Sequence, residues 1–443
     1  MFLDISVENF RSIKGMQTLS FEATKSTHLE DIYVVKRGEY RILKAVSIRG
    51  ANASGKSNII KVFPLLQRLF LSPVLSKSDT IEFDNFALDK EWKKRDTIIE
   101  TNFICGEKKY QYRIVLNNIF VREEELKCKP FGARTAHTVF MRTTDDKARV
   151  SAVKWGEKYA SANSRKLELN LMPNMTVFGS YQRTNVDLPW MKDIIDWFDD
   201  GQMPIITPNT RGLVDYTTKS IYDHKVAKSQ ILYLLKAADM GVDDFVVKKE
   251  TQDLPKEFVE MVLKDDDAPE ELKQKIQEDP TTTDYQVKLC HTGSDGIVPM
   301  DFDKESNGTQ RYYSLSSVLA QLLQGKKFVA IDELDCRLHP DLYQHFINTF
   351  LVNKHDSQMV FTTHYREILN DRGQFRDDAV YLTEKSDMGA TELYSLADFD
   401  TSIIRNSTNV LNAYKAGNLG AIPRLGGKYI VETNDNENYG EEN

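Results

Sequence analysis

A mixed α/β fold with an antiparallel β subdomain and a helical insertion is predicted by three observations. The first is the stretch SIRGANASGKSNIIK, Ser47 to Lys61, in which a glycine-rich turn separates an apolar run from a second apolar-periodic run. The second is the return, some 270–300 residues later, of two short continuous apolar runs, FVAI and MVF, of the kind found where both faces of a strand are covered. The third is a change of period between them. Alternating segments near residues 98–122 give way to helical spacing between about 190 and 280.

Taken in order, FLDISVENF and MQTLSFEA alternate as strands. ILKAVSI reads as a buried strand leading into the turn, and SNIIKVFPLLQRLF as the helix after it, with Pro64 placed to kink or end that helix. TIIETNFICGEKKYQYRIVLNNIFV reads as antiparallel strands joined at Gly-Glu-Lys-Lys, and HTVFMRT and ARVSAVKW add two more. DLPWMKDIIDWFDD and VAKSQILYLLKAADMG are helical, and KDDDAPEELKQKIQEDP is a charged surface helix. DDAVYLTEK and TELYSLADF form a late hairpin, followed by one further helical segment. The expected division is 1–185 for a first lobe with the antiparallel subdomain, 186–290 for the helical insertion, 291–432 for a second lobe, and 433–443 for a disordered acidic tail.

Composition narrows the chemistry. The 443 residues carry a net charge of −8, which argues against a nucleic-acid-binding field over the whole surface but leaves room for a local basic groove on DNA. The four cysteines are scattered without C-x-x-C spacing, so neither a zinc site nor a disulfide framework is expected. No window is long and apolar enough to span a membrane, and MFLDISVENF lacks a secretory pattern, so the expected location is the cytoplasm, without a membrane partner.

Gly50, Gly55, Lys56 and Ser57 match G-x-x-x-x-G-K-S, a phosphate-binding loop. Its glycines let backbone N–H groups curl around a β-phosphate, its lysine reaches the β- and γ-phosphates, and its serine ligates Mg²⁺ at a helix N-terminus. Gly50, Asn52, Gly55, Lys56, Ser57 and Asn58 are therefore the candidate ATP-binding residues. FVAIDELD delivers Asp332 and Glu333 at a strand end, the first to hold Mg²⁺ with Ser57 and the second to polarise an attacking water. ESNGTQRYYSLSSVLAQLL offers Ser306, Gly308 and Gln310 ahead of an apolar-periodic helix, where a hydroxyl and bare backbone could meet a γ-phosphate. In VFTTHYREIL, His364 follows a buried strand.

The order phosphate loop, SNGTQ, acidic pair, histidine resembles that of ABC-type P-loop ATPase heads, with SNGTQ in the place of their LSGGQ signature and Glu305 where that motif has leucine. The resemblance implies that Glu333 and His364 are catalytic, that Leu334 and Asp335 form the D-loop, and that Ser306, Gly308 and Gln310 complete the site of a second copy in a head-to-tail dimer or higher homo-oligomer. Gln182, in TVFGSYQR, is the candidate for the lobe-linking glutamine that senses Mg²⁺. ISVENFRSIKG resembles the start of RecF/SMC-like ATPases, while GANASGKSN, AIDELDCRLHP and AYKAGNLGAIP resemble RloA-type ATPases, bacterial proteins found beside restriction and abortive-infection genes. OLD-family relatives carry a Toprim nuclease after the ATPase part. Only about 80 residues follow His364 here, less than such a domain needs. The resemblance thus implies an anti-phage regulatory ATPase whose effector, a nuclease or toxin, is a separate chain. A RecF/SMC-like repair ATPase that clamps DNA, and an ATP-binding scaffold with little turnover, are the alternatives.

Overall fold

The computed structural model describes residues 1–265, 268–399 and 409–423; the acidic tail lies outside them. Its centre is a five-stranded sheet in the order Phe328–Ile331, Gln358–Thr362, Ala45–Gly50, Val380–Lys385, Thr391–Ser395. The first four strands are parallel, and the last closes the late hairpin antiparallel. All six residues of Ala45–Gly50 are buried, Ser47 and Arg49 included, as expected of a strand flanked on both edges. A stretch at 202–206 extends the sheet beyond Phe328–Ile331, through parallel bridges from Gln202 to Phe328 and from Ile206 to Ile331.

The antiparallel subdomain is a seven-stranded sheet ordered Ser151–Trp155, His137–Thr144, Val121–Pro130, Lys108–Leu116, Thr97–Cys105, Phe2–Glu8, Gln17–Ser20. The helix after the phosphate loop breaks at Lys61 into Lys56–Ile60 and Val62–Leu71. The break precedes Pro64 because proline cannot donate to the Ile60 carbonyl. Phe63 on the second segment touches Phe2 of the antiparallel sheet, with ring centroids 5.2 Å apart, and Phe328 of the parallel sheet, at 4.6 Å. This aromatic packing joins the two sheets into one core. Gln358 reinforces it: its buried amide accepts from Phe2 N at 2.7 Å and donates to Phe2 O at 2.9 Å, acting as a strand partner across the join. The fully buried Arg142–Glu124 pair anchors the outer strands, with Arg142 also donating to the carbonyls of Pro173 and Met175.

The region expected to be a helical insertion is mixed. Its helices are present, at Pro189–Asp199, Leu213–Tyr222 and Lys228–Ala237. Beyond them, Asp244–Asp253 and Thr281–Gly293 form a two-stranded ribbon, paired from Asp244↔Cys290 to Asp253↔Thr281, with Gly296–Asp301 as a third strand. The ribbon carries helices Lys256–Lys264 and Glu270–Glu278 at its far end. The strand Thr281–Gly293 runs through the expected division at 290/291, so this arm is continuous with the second lobe. Its base packs on the long helix Asn307–Gln324, where Phe245 and Phe302 meet Tyr313 and Thr217 hydrogen-bonds Ser314 O at 2.8 Å.

Candidate ATP site

The phosphate loop turns sharply between Gly50 and Lys56. A Cβ on Gly50 would lie 2.3 Å from Thr383 O, and one on Gly55 2.0 Å from Thr391 Oγ1, so the hairpin strands press against the loop and leave room only for glycine. Ala53 holds a left-handed φ of 60° at the apex. Thr391 ties the loop to the N-terminal region: its hydroxyl donates to Ser54 O at 2.9 Å and lies 2.8 Å from Ser12 Oγ. Asn58 donates to the same Ser12 hydroxyl at 2.7 Å, so its amide braces the loop.

Lys56 is buried, with its ammonium donating to the carbonyls of Gly50 and Ala51, both at 3.0 Å. Burial lowers its pKa, and the carboxylates Glu333, Asp332 and Asp335 act against that shift. Asp332 leaves the end of Phe328–Ile331, where its N–H donates to Ile206 O at 2.7 Å. Its Oδ1 accepts from Ser57 Oγ at 2.9 Å and from Thr362 Oγ1 at 2.6 Å. Thr362 Oγ1 also accepts from Glu333 N at 2.8 Å, so one hydroxyl on the neighbouring strand sets both acids. Glu333 has a left-handed φ of 49°, a conformation that costs a non-glycine residue free energy and turns its carboxylate away from the strand.

His364 follows the adjacent strand. Its N–H lies 3.3 Å from Asp335 Oδ1, and its Nε2 is 3.9 Å from Glu333 Oε1, within Coulombic reach but beyond a hydrogen bond. Partial burial, then Lys56, lowers the His364 pKa, with the nearby carboxylates opposing. Asn52, Gly55, Lys56, Ser57, Asn58, Glu333 and His364 line one open cleft of about 760 Å³. A serine hydroxyl paired with a carboxylate is a hard-oxygen set of the kind Mg²⁺ takes, and the lysine and loop amides suit phosphate oxygens. The residues present therefore fit MgATP.

Ser306, Gly308 and Gln310 do not line that cleft. Ser306 caps the Asn307–Gln324 helix by accepting from Thr309 N at 3.1 Å, and Gln310 turns back to the Phe302 and Glu305 carbonyls, both at 3.0 Å. The hydroxyl of Ser306 remains on an exposed residue at the helix start.

Gln182 lies away from that cleft. Gln182 is exposed on Val177–Arg183, a helix seated over the far end of Val62–Leu71, where Thr176 Oγ1 donates to Leu69 O and Arg183 to Val74 O. It is not among the cleft residues. The chain that reaches the acidic pair is instead 202–206, and Thr207 to Asn209 follow directly at the Asp332 end. A short apolar run interrupted by Pro204 hides this edge segment in the sequence.

A family model described as "AAA domain, putative AbiEii toxin, Type IV TA system" matches residues 222–370, about a third of the chain, including Asp332, Glu333 and His364 but not the phosphate loop. No curated protein matches the chain significantly. Among solved structures, the chain is similar to an SMC head bound to the C-terminal winged-helix domain of ScpA (13% identity, 89% of this chain and 97% of that one, TM-score 0.42). It is also similar to the SMC head domain from Thermotoga maritima (11%, 89% and 98%, TM-score 0.39) and to ATP-analogue-bound RecF of the RecFOR pathway (13%, 89% and 98%, TM-score 0.30). The chain's own topology carries the fold assignment. A parallel core holds the phosphate loop, the acidic pair ends an outer strand, a histidine follows the strand between them, and an antiparallel sheet flanks the whole, the mixed α/β architecture with an antiparallel subdomain that the sequence predicts.

Proposed function

We propose that this chain binds and hydrolyses MgATP between two copies arranged head-to-tail, and that it is the regulatory subunit of an anti-phage or toxin-type system whose effector is a separate protein. The observation that carries the ATPase reading is the Ser57–Asp332–Thr362–Glu333 network beside Lys56. In this reading Lys56 and the loop amides hold the phosphates. Ser57 and Asp332 hold the metal, which supplies neutralisation of phosphate charge. Glu333 accepts the proton of the attacking water, and His364 lies close enough to orient both. Ser306 and Gly308 of one copy present a helix N-terminus to the γ-phosphate held by the other. The AbiEii description of the matched family and the RloA-like motifs support the defence role. The arm tip, 254–280, is rich in acids and exposes Phe258, Met261 and Leu272, which suits docking of a protein partner rather than DNA.

The test is steady-state ATP hydrolysis by the purified chain, with DNA and RNA present in parallel reactions. Glu333→Gln should retain nucleotide binding and lose turnover by about 100-fold or more, while both nucleic acids stay uncut with Mg²⁺ or Mn²⁺. Near-normal turnover in Glu333→Gln would remove the assignment. Strong stimulation by duplex DNA would favour the clamp reading.

A further inference from the structure

Besides its local bonds to Phe302, the turn Glu305–Gln310 is tied to the arm by the ring of His291. His291, near the end of the return strand Thr281–Gly293, places Nε2 2.8 Å from Glu305 Oε1 and Nδ1 2.8 Å from the Gly241 carbonyl oxygen. With the Glu305 side chain as a carboxylate, both partners accept, and the geometry suits a ring that donates from both nitrogens. The Glu305 carboxylate raises the His291 pKa most, and the Gly241 carbonyl and Asp243 add to it against the effect of burial. The Glu305 side chain is 8% exposed, and its main-chain oxygen accepts from Gln310. His291 therefore joins three segments: the turn that opens the arm, the strand that closes it, and the residue before the Ser306 cap.

The arm gives this joint leverage. Ten register pairs, Asp244↔Cys290 to Asp253↔Thr281, make a ribbon with helices at its far end. At about 3.4 Å per residue it reaches roughly 30 Å, and His291 sits one residue beyond its base pair. Asp243, Glu305, the Asp244–Lys228 ion pair and, further out, Lys236 are among the charges at that base.

We infer that His291 and Glu305 are positioning residues that couple the base of the arm to the Ser306–Gln310 turn and hold that turn in the arrangement that completes a second copy's ATP site. The coupling rests on the composite-site reading above. It also explains why an acid stands at 305, where the resembling motif has leucine: a leucine could not bond the ring.

Hydrogen exchange and ATP turnover on the full chain test it together, in His291→Gln, Glu305→Gln and the double variant. Amide exchange over 303–310 should rise about tenfold in each, with 45–60 unchanged. Turnover should fall about tenfold while nucleotide affinity stays within about twofold. The double variant should lose no more than the worse single one, and His291→Lys, which keeps a cation, should recover part of the loss. Exchange and turnover within about twofold of wild type in both single variants, additive losses, or faster exchange with full turnover would each overturn the coupling. Absence of turnover in the wild-type chain would instead strike the ATPase reading, and the exchange pattern would still decide whether the pair holds the turn.

Discussion

The two halves of the proposed ATP site are built differently. Around the phosphate loop, contacts within the chain account for most of the key residues. Gly50 and Gly55 are required because Thr383 and Thr391 occupy the space a Cβ would need, and Ser57, Asp332, Thr362 and Glu333 satisfy one another. Around SNGTQ the chain is permissive. A Cβ on Gly308 would meet only Arg337 O at 3.5 Å and Ser306 Oγ at 3.7 Å, ordinary contacts, and its φ does not call for glycine. Folding of one chain explains the first pair of glycines and not the third. In the proposed shared site, the bare backbone at 308 would be met from outside by the second copy's nucleotide.

The largest effects should separate the halves. Lys56→Ala and Gly308→Asp should each lower turnover by about 100-fold, but only Lys56→Ala should weaken nucleotide binding by the isolated chain. Mixing the two variants should restore one working site per heterodimer, because both lesions then fall on the same composite site. Heterodimers that form without regaining hydrolysis would break the comparison.

A smaller effect should come from Thr362→Val, which keeps shape and removes the hydroxyl shared by Asp332 Oδ1 and Glu333 N. The left-handed Glu333 loses a bonded N–H, so turnover should drop about tenfold with binding nearly unchanged. Equal turnover would mean that the strand geometry alone holds the acid.

The smallest effects are on stability against pH, and the halves should tilt in opposite directions. His364 has a pKa below its ordinary 6.5, so the unfolded chain binds its proton more readily and stability falls as pH drops through 6.5. His291 has a raised pKa, so its contribution is complete below 6.5 and is lost as pH rises through the raised value. Melting temperatures across that range should show His364→Gln flattening the acid side and His291→Gln flattening the alkaline side. Parallel shifts in both variants would refute the contrast.

Legibility in the sequence splits along the same divide. The phosphate loop, the acidic pair and the buried strands were readable because each is a local pattern: fixed spacing, or an unbroken apolar run. The break after Ile60 follows from Pro64. The ribbon Asp244–Asp253 with Thr281–Gly293 was not readable, because over most of its length both faces are exposed and polar residues fill both registers, leaving no period-2 signal. Gln182 is the candidate lobe-linking glutamine by resemblance, but its helix is placed by long-range packing against the end of Val62–Leu71, which no local pattern encodes. The acid at 305 read as a departure from a motif; only the approach of His291 gives it a partner.

The sheet order has a consequence for the nascent chain. Ala45–Gly50 lies between Gln358–Thr362 and Val380–Lys385. Its neighbours leave the ribosome about 310 residues later, roughly 15–60 s at 5–20 residues per second. Throughout that interval six residues destined for full burial have no lateral partner, and the phosphate loop has neither Asp332 to meet Ser57 nor Thr391 to press on Gly55. Translation that stops before Gln358–Thr362 therefore leaves Ala45–Gly50 without either neighbour, a substrate for chaperones and proteases.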